Sequence, residues 1–301
     1  MATNDGKVTQ KLSPLLGESV AIEELRDFIV GVSLLDRPVL LLGDAGTGKE
    51  LAARKIHAVG RSARAPFVVV DCGELSESEV EDVLFDPGGD GRQYGVLRQQ
   101  SGATCYLSRI EHLSRNLAQR LIRFLDEEPA DPETHPRLVL GSEFSYDELY
   151  EGQILDPEFL DRISQIRMRI PPLRDRAEDV PILCHYQLWL NAGNEELEDL
   201  WREFQEAVLP GLQHYPWPGN VNELNAMVRE FCLGIYEEPC EIDEADVEED
   251  DEVIEDPAAY LAAELSRLYA EFTETLELEQ ALGRSDMVLL PDTDREADHV
   301  H

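Results

Sequence analysis

Short apolar runs alternate with segments of helical periodicity through residues 15–172. The run Pro38–Leu42 is apolar throughout and is followed by a glycine, as expected of a parallel strand buried on both faces. Three further runs predict strands, and helical segments such as Leu113–Leu125 separate them. This alternation predicts an α/β domain with a parallel sheet over residues 15–172. The three further runs are Phe67–Asp71, Thr104–Leu107 and Arg137–Gly141.

Only helical patterns follow the α/β domain, up to residue 236. Apolar positions recur at helical spacing over Val180–Leu190, Leu197–Val208 and Val221–Ile235. We therefore predict a small helical lid subdomain over residues 173–236.

The two ends of the chain are polar. Residues 1–14 form a polar leader without the apolar middle region of a secretory signal, which favours a cytoplasmic protein. Residues 237–301 hold 23 acidic side chains and three arginines, a composition typical of a poorly ordered acidic tail. Within that tail, leucines at helical spacing predict an amphipathic helix over Pro257–Leu282.

The formal charge of −37 is the strongest compositional feature. It argues against free DNA as a partner, because phosphate contacts require clustered lysine and arginine. A salt-adapted source and selection for a basic protein partner explain the charge equally well. No apolar stretch reaches the length of about 18 residues that a membrane span requires. The five cysteines form no C-x-x-C pair and predict reduced, buried thiols.

One loop carries a phosphate-binding pattern. It follows the first predicted strand, precedes a helix predicted over Lys49–Val59, and matches the pattern G-x-x-x-x-G-K. Backbone N–H groups and the helix N-terminus would face phosphate oxygens, and Lys49 would reach the outer phosphates. We therefore predict weak binding of ATP or ADP, with magnesium left open because Glu50 stands where a serine or threonine usually contacts that ion. The predicted nucleotide-binding residues of the loop are Gly43, Asp44, Ala45, Gly46, Thr47, Gly48, Lys49 and Glu50.

The ending Thr-Gly-Lys-Glu of this loop resembles the AAA+ domain of the sigma-54-dependent activators. Four other stretches are similar to the same family: Leu16–Ser19, Phe67–Cys72, Pro171–Pro181 and Pro216–Leu224. The first of these adds Gly17 to the predicted nucleotide-binding residues. The resemblance implies an AAA+ nucleotide domain followed by a helical lid, assembled as a ring with ATP at the subunit interfaces.

The chain departs from the family pattern at the end of the third predicted strand. The family places an Asp-Glu pair there, whereas this chain has Ser108 and Arg109. The aspartate holds the magnesium shell and the glutamate activates the attacking water, and neither a hydroxyl nor a cation replaces them. We therefore predict that ATP hydrolysis is lost. Glu111 is expected to point away from the site as a surface acid.

Other functional positions also differ from the family. The loop that grips sigma-54 is replaced by the short polar segment 86–94, and no helix-turn-helix follows residue 237. Asp156 stands at the first arginine-finger position, where it would face a neighbour's ligand. Glu143 and Asn222 replace a sensor asparagine and a lid arginine. The arginines predicted to serve a subunit interface are Arg162, Arg174 and Arg176, although the last two suit intrachain ion pairs equally well.

These features favour a pseudo-ATPase that acts as a regulatory or scaffolding subunit through protein contacts. Its partner would be an active AAA+ paralogue or a basic protein. Two alternatives remain. One is an active ATP-dependent transcriptional regulator with displaced catalytic groups, and the other is an acidic interaction or DNA-mimic protein with a vestigial nucleotide site.

Overall fold

The computed structural model describes residues 14–85, 95–98, 102–127, 135–191, 197–212 and 215–234. The strands are β1 (Val39–Leu42), β2 (Phe67–Asp71), β3 (Thr104–Ser108), β4 (Arg137–Ser142) and β5 (Arg167–Arg169). They form one parallel sheet in the order β2-β3-β4-β1-β5. The predicted α/β class with a parallel sheet is therefore confirmed.

Helices precede, connect and follow these strands. Those of the α/β part are α1 (Val20–Ser33), α2 (Lys49–Val59), α3 (Glu77–Leu84), α4 (Arg115–Asp126), α5 (Tyr146–Glu151) and α6 (Pro157–Ile163). Those that follow are α7 (Val180–Asn191), α8 (Leu197–Ala207), α9 (Leu209–Leu212) and α10 (Asn220–Cys232). Short 3-10 turns lie at Ile110–His112, Leu173–Asp175 and Ala177–Asp179.

Strand β1 lies inside the sheet between β4 and β5, and all four of its residues are buried. Leu40 and Leu42 pack on one face of the sheet with side chains of α3, α4 and α6, and Val39 and Leu41 pack on the other face with α1 and α2. Burial of each leucine contributes about 1.5–3 kcal/mol. The continuous apolar run thus reflects a strand covered on both faces.

The helices after residue 172 have an apolar core of their own. Side chains from α7, α8 and α10 surround Phe204 and Trp217, which are 0% and 1% exposed. The structure contains all three helices that the sequence predicts here, with ends that differ by at most three residues. Helix α7 packs along α10.

The sequence pattern missed strand β5. It is three residues long, with Met168 between two exposed arginines, and among the described residues it pairs with β1 alone, at the sheet edge, so no apolar run marks it. Among the described residues, the four short helices α3, α5, α6 and α9 also have no counterpart in the sequence prediction, although two of them begin with a capping box. These boxes are Ser76 with Glu79 for α3, and Ser145 with Glu148 for α5.

Several predictions concern residues that the structure does not describe. They are the leader up to residue 13, the segment 86–94, and the acidic tail with its helix at Pro257–Leu282. Among the described residues, no helix is both long enough and apolar enough to span a membrane.

Candidate functional site

The phosphate loop, residues 43–50, connects β1 to α2 at the carboxyl edge of the sheet. Gly43, Gly46 and Gly48 adopt positive φ angles of 149°, 76° and 103°, which L side chains rarely tolerate. A Cβ atom on Gly46 would lie 2.3 Å from the carbonyl oxygen of Gly219. The loop therefore requires its glycines, and its N–H groups and the N-terminus of α2 provide a site for an anion.

Lys49 lies inside this loop and is only 8% exposed. Its Nζ donates hydrogen bonds to the carbonyl oxygens of Gly43 and Asp44, at 2.5 and 2.9 Å. Burial lowers the pKa of Lys49, while the negative charges of Glu143, Glu111 and Asp44 partly oppose that effect. A phosphate oxygen would replace neutral carbonyl partners with a stronger charge-assisted bond.

A cavity of about 580 Å³ opens beside the loop. Of the predicted nucleotide-binding residues, five line it: Ala45, Gly46, Gly48, Lys49 and Glu50. The other members of the loop, Gly43, Asp44 and Thr47, are not among the lining residues, and Thr47 Oγ1 donates to the Asp44 carbonyl oxygen at 2.9 Å. The cavity is also lined by Leu51, Arg54, Asp71, Glu74, Tyr106, Ser108, Arg109, Glu143, Val221, Asn222 and Asn225.

Ser108 and Arg109 lie at the cavity, as the sequence predicts for the end of β3. Ser108 pairs in register with Asp71 of β2, and Arg109 has a left-handed backbone with φ 51° and ψ 49°. The Arg109 guanidinium contacts Asp71 Oδ1 through Nε at 2.8 Å and through Nη2 at 2.6 Å. Nη2 also lies 3.4 Å from Glu74 Oε1. At the position where the family resemblance places an acid, this chain thus has a cation in an ion pair.

Asp71 is a site residue that sequence reasoning missed. The signal was its place at the carboxyl end of β2, because neighbouring parallel strands end at the same edge. Burial alone would raise the pKa of Asp71, but hydrogen bonds from Arg109, the Gly73 N–H and Ser108 lower it overall. Asp71 therefore stays ionised and holds Arg109 in place.

Glu111 does not point away from this edge of the sheet, so that prediction is wrong. Its Oε1 accepts a hydrogen bond from the Glu143 N–H at 3.2 Å, and its Oε2 is buried without a hydrogen-bond partner among the described residues. Its charge also acts on Lys49. The cause is the 3-10 turn Ile110–His112, which packs against β4 instead of continuing as a surface helix.

The residues present suit a nucleotide phosphate but do not suit a magnesium shell. Glycine amides, a helix N-terminus and Lys49 form the cradle that phosphate oxygens require. Magnesium demands near-octahedral oxygen ligands, whereas the end of β3 offers one hydroxyl and a guanidinium. Asp71 Oδ1 is already bound by Arg109 and by the Gly73 N–H at 2.9 Å. No group of three acidic, histidine or cysteine side chains among the described residues could hold a metal ion.

Two arginines of the helical part contact the phosphate loop. Arg174 Nη2 lies 3.1 Å from Asp44 Oδ2, and Arg176 Nη2 donates to the Thr47 carbonyl oxygen at 3.0 Å. Arg176 is 2% exposed and lies 3.8 Å from Asp179, so it has no free surface for a neighbouring subunit. The intrachain alternative therefore explains Arg176, and its predicted interface role is not supported. Arg174 is half-exposed, and its interface role stays a prediction.

Gly17 lies against Asp179 and does not line the cavity. Its φ angle is 145°, and a Cβ atom there would lie 2.8 Å from Asp179 Oδ2. The same carboxylate accepts hydrogen bonds from Glu18 N at 2.6 Å and from Ser19 N at 2.9 Å. The glycine is needed for this close packing, and its contact with a nucleotide stays a prediction.

Asp156 has a structural role that the sequence did not indicate. Its side chain caps α6 by accepting a hydrogen bond from Glu158 N at 3.1 Å, and Arg115 lies 3.0 Å from it. Because its charge is used in this way, the expectation that Asp156 faces a neighbour's ligand is corrected. Arg162 forms a half-exposed ion pair with Asp126, and its interface role stays a prediction.

Comparison with known proteins identifies the family. The model of the sigma-54 interaction domain matches residues 15–132, and that of the AAA+ ATPase lid domain matches residues 174–256. The C4-dicarboxylate transport transcriptional regulatory protein DctD of Pseudomonas aeruginosa is 30% identical over 73% of this chain and 50% of its own length. The transcriptional regulatory protein ZraR of Klebsiella oxytoca is 32% identical over 73% of this chain and 52% of its own length. The chain thus spans about half the length of these relatives.

A solved structure shares the fold. NtrX from Brucella abortus, crystallised in complex with ADP, has a TM-score of 0.61 and 24% identity, covering 76% of this chain and 53% of the NtrX chain. This likeness, the two family models and the observed sheet with its helical part agree with the resemblance of the motifs. The chain therefore belongs to the sigma-54 activator family of AAA+ proteins.

Proposed function

We propose that this protein is a pseudo-ATPase, which binds ATP or ADP weakly and regulates or scaffolds a partner protein without hydrolysing the nucleotide. The observation that carries the proposal is the contrast between two strand ends at the same edge of the sheet. The phosphate loop after β1 keeps its glycines and Lys49, whereas β3 ends in Ser108 and Arg109.

The loss of hydrolysis follows from the chemistry of those two side chains. Positioned general-base catalysis typically contributes about 10²–10⁴-fold to a rate. Arg109 cannot supply it, because its hydrogen bond to Asp71 raises the pKa of a guanidinium that is already permanently charged. The hydroxyl of Ser108 hydrogen-bonds to Asp71 and carries no charge to hold a metal ion.

The expected affinity for nucleotide is low because the cavity is not strongly basic. Three basic side chains line it, against four acidic ones: Lys49, Arg54 and Arg109 against Glu50, Asp71, Glu74 and Glu143. Like charges about 4 Å apart repel by about 1 kcal/mol in water and by about 4 kcal/mol near a protein surface. Lys49 and the loop amides therefore have to outweigh this repulsion.

The partner that this pseudo-ATPase regulates or scaffolds would be a protein. The net charge of −37 favours a partner with a basic surface, or a less acidic AAA+ paralogue, over a second copy of this chain. Free DNA does not fit this charge.

The position of Glu111 supports one second candidate, an active ATPase with displaced acids. Glu111 and Glu143 both lie near enough to Lys49 to act on its charge, and Glu143 lines the cavity. In that case hydrolysis would be measurable and would be lost in Glu111→Gln or in Glu143→Gln. Under the pseudo-ATPase proposal, neither substitution changes phosphate release.

Calorimetric titration with ATP and ADP tests the binding that the proposal requires. We expect saturable binding to the wild-type protein and its loss in Lys49→Ala. Lys55→Ala is the matched control, because Lys55 lies on the same helix but does not line the cavity. Equal affinity in the wild type and Lys49→Ala would favour the vestigial site instead.

A further inference from the structure

Arg109 places a permanent positive charge in the part of the cavity that lies across the sheet from Lys49. Both side chains line the cavity, and the strands that precede them, β3 and β1, are separated by β4. Their carboxyl ends are therefore two strand spacings, or about 10 Å, apart. An anion extending from the phosphate loop along this edge approaches Arg109.

The contacts of Arg109 let it bind a second anion without leaving Asp71. It meets Asp71 and Glu74 through Nε and Nη2, and a guanidinium has further N–H donors on Nη1. Gly73 makes room for the group, since a Cβ atom there would lie 2.8 Å from Arg109 Cζ. The side chain is 29% exposed, so water can be replaced by a phosphate oxygen.

Two of the neighbouring acids are already paired with arginines. Glu50 Oε1 lies 2.7 Å from Arg54 Nη2, and Asp71 is bound by Arg109. A magnesium ion at the end of β3 would meet Arg109, whose charge repels it, and would find a hydroxyl where a carboxylate is needed. The charge that neutralises the outer phosphates therefore has to come from the protein.

We propose that Arg109 replaces the divalent cation, so that this cavity binds ATP through Lys49 and Arg109 and does not require magnesium. This inference rests on the proposed function, because it needs a cavity that binds nucleotide. It goes further by assigning a ligand contact to Arg109 and a metal-independent mode of binding to the site.

The test compares ATP affinity in magnesium and in EDTA, by titration of a fluorescent ATP analogue followed by competition with ATP. We expect wild-type dissociation constants within about twofold of each other in the two buffers. In EDTA, Arg109→Gln should weaken ATP binding about 10- to 100-fold, the range for a lost hydrogen bond to a charged group. Arg109→Lys should recover part of that loss. Arg115→Gln is the control, because it removes the same charge from a side chain that is 80% exposed.

Two results would overturn the inference alone: ATP binding that appears in magnesium and disappears in EDTA, or unchanged ATP affinity in Arg109→Gln. Absence of binding to the wild type in both buffers would instead refute the proposed function, and the inference with it. Thermal melting of each variant checks its folding. Asp71→Asn gives an independent measurement, since it removes the negative charge that competes with ATP for Arg109 while its amide oxygen can still accept a hydrogen bond from that side chain. It should bind ATP in EDTA at least as tightly as the wild type, and weaker binding would count against the inference.

Discussion

The side-chain amide of Asn220 donates a hydrogen bond to the carbonyl oxygen of Ala45 at 2.8 Å, joining the first turn of α10 to the phosphate loop. Its Oδ1 accepts a second hydrogen bond from Leu173 N at 2.7 Å, and the residue is fully buried. Val221 N adds a main-chain bond to the Gly46 carbonyl oxygen at 3.1 Å. The lid and the loop are therefore connected through backbone groups that a nucleotide would approach.

We predict that Asn220→Ala lowers the free energy of unfolding by about 2–4 kcal/mol. The substitution removes two hydrogen bonds and leaves the buried Leu173 N–H without its acceptor. Alanine also tolerates the φ angle of 52° less well than asparagine. Urea unfolding measures the effect. Exposed Asn222 on the same helix provides the control, and its replacement by alanine should cost less than about 0.5 kcal/mol. Equal effects of the two substitutions would contradict this role of Asn220.

The pH dependence of nucleotide affinity should follow the charge of Lys49. Burial lowers the pKa of Lys49, and the ammonium that binds phosphate is present below that pKa and lost above it. Affinity should therefore fall as the pH rises through the lowered pKa, which lies below the ordinary value of 10.5. Titration with ADP from about pH 7 up to the ordinary value of 10.5 measures this, and Lys49→Arg should shift the fall to higher pH because arginine stays charged. Constant wild-type affinity across this range would argue against Lys49 as the phosphate ligand.

The ion pair between Asp71 and Arg109 should contribute to stability only where Asp71 is ionised. The pKa of Asp71 is lowered overall in the folded protein. The contribution of the ion pair to stability is therefore present above the unfolded-state pKa of about 3.9 and is lost as the pH falls through the folded-state pKa of Asp71. We expect a coupling of about 1 kcal/mol or less at pH 7, because both side chains are partly exposed. A double-mutant cycle of Asp71→Asn and Arg109→Gln, measured by urea unfolding at pH 7 and pH 3, tests this. A coupling that persists unchanged at the acidic pH would refute the assignment.

The sequence was sufficient for four of the five strands, the phosphate loop and the two strand-end substitutions, because these depend on local apolar runs and on glycine spacing. It did not reveal Asp71 as the partner of Arg109, since that contact joins residues 38 positions apart through strand pairing. The direction of the Glu111 side chain depends on the 3-10 turn Ile110–His112, and the identity of residue 111 alone does not predict that turn. Likewise, the sequence alone suggests that Asp156 is an interface acid. Its capping role follows only from its contacts with the N-terminus of α6 and with Arg115.

We expect no stable homo-hexamer at moderate salt. With Asp156 assigned to capping α6, the expectation rests on charge: identical subunits of −37 repel each other, and salt screens this only beyond about 8 Å at physiological ionic strength. Light scattering across a salt series, with and without ATP, should show a monomer or small oligomer whose size increases only at high salt. A hexamer formed with ATP at low salt would contradict this expectation.

The fate of bound ATP distinguishes a pseudo-ATPase from an active ATPase. An excess of purified protein is incubated with ATP, quenched at intervals, and the nucleotides are separated and quantified. If Ser108 and Arg109 have abolished hydrolysis, the bound nucleotide is recovered as ATP, and ADP forms no faster than with Lys49→Ala. Conversion of bound ATP to ADP at a rate that Lys49→Ala abolishes would contradict the account and establish an active ATPase.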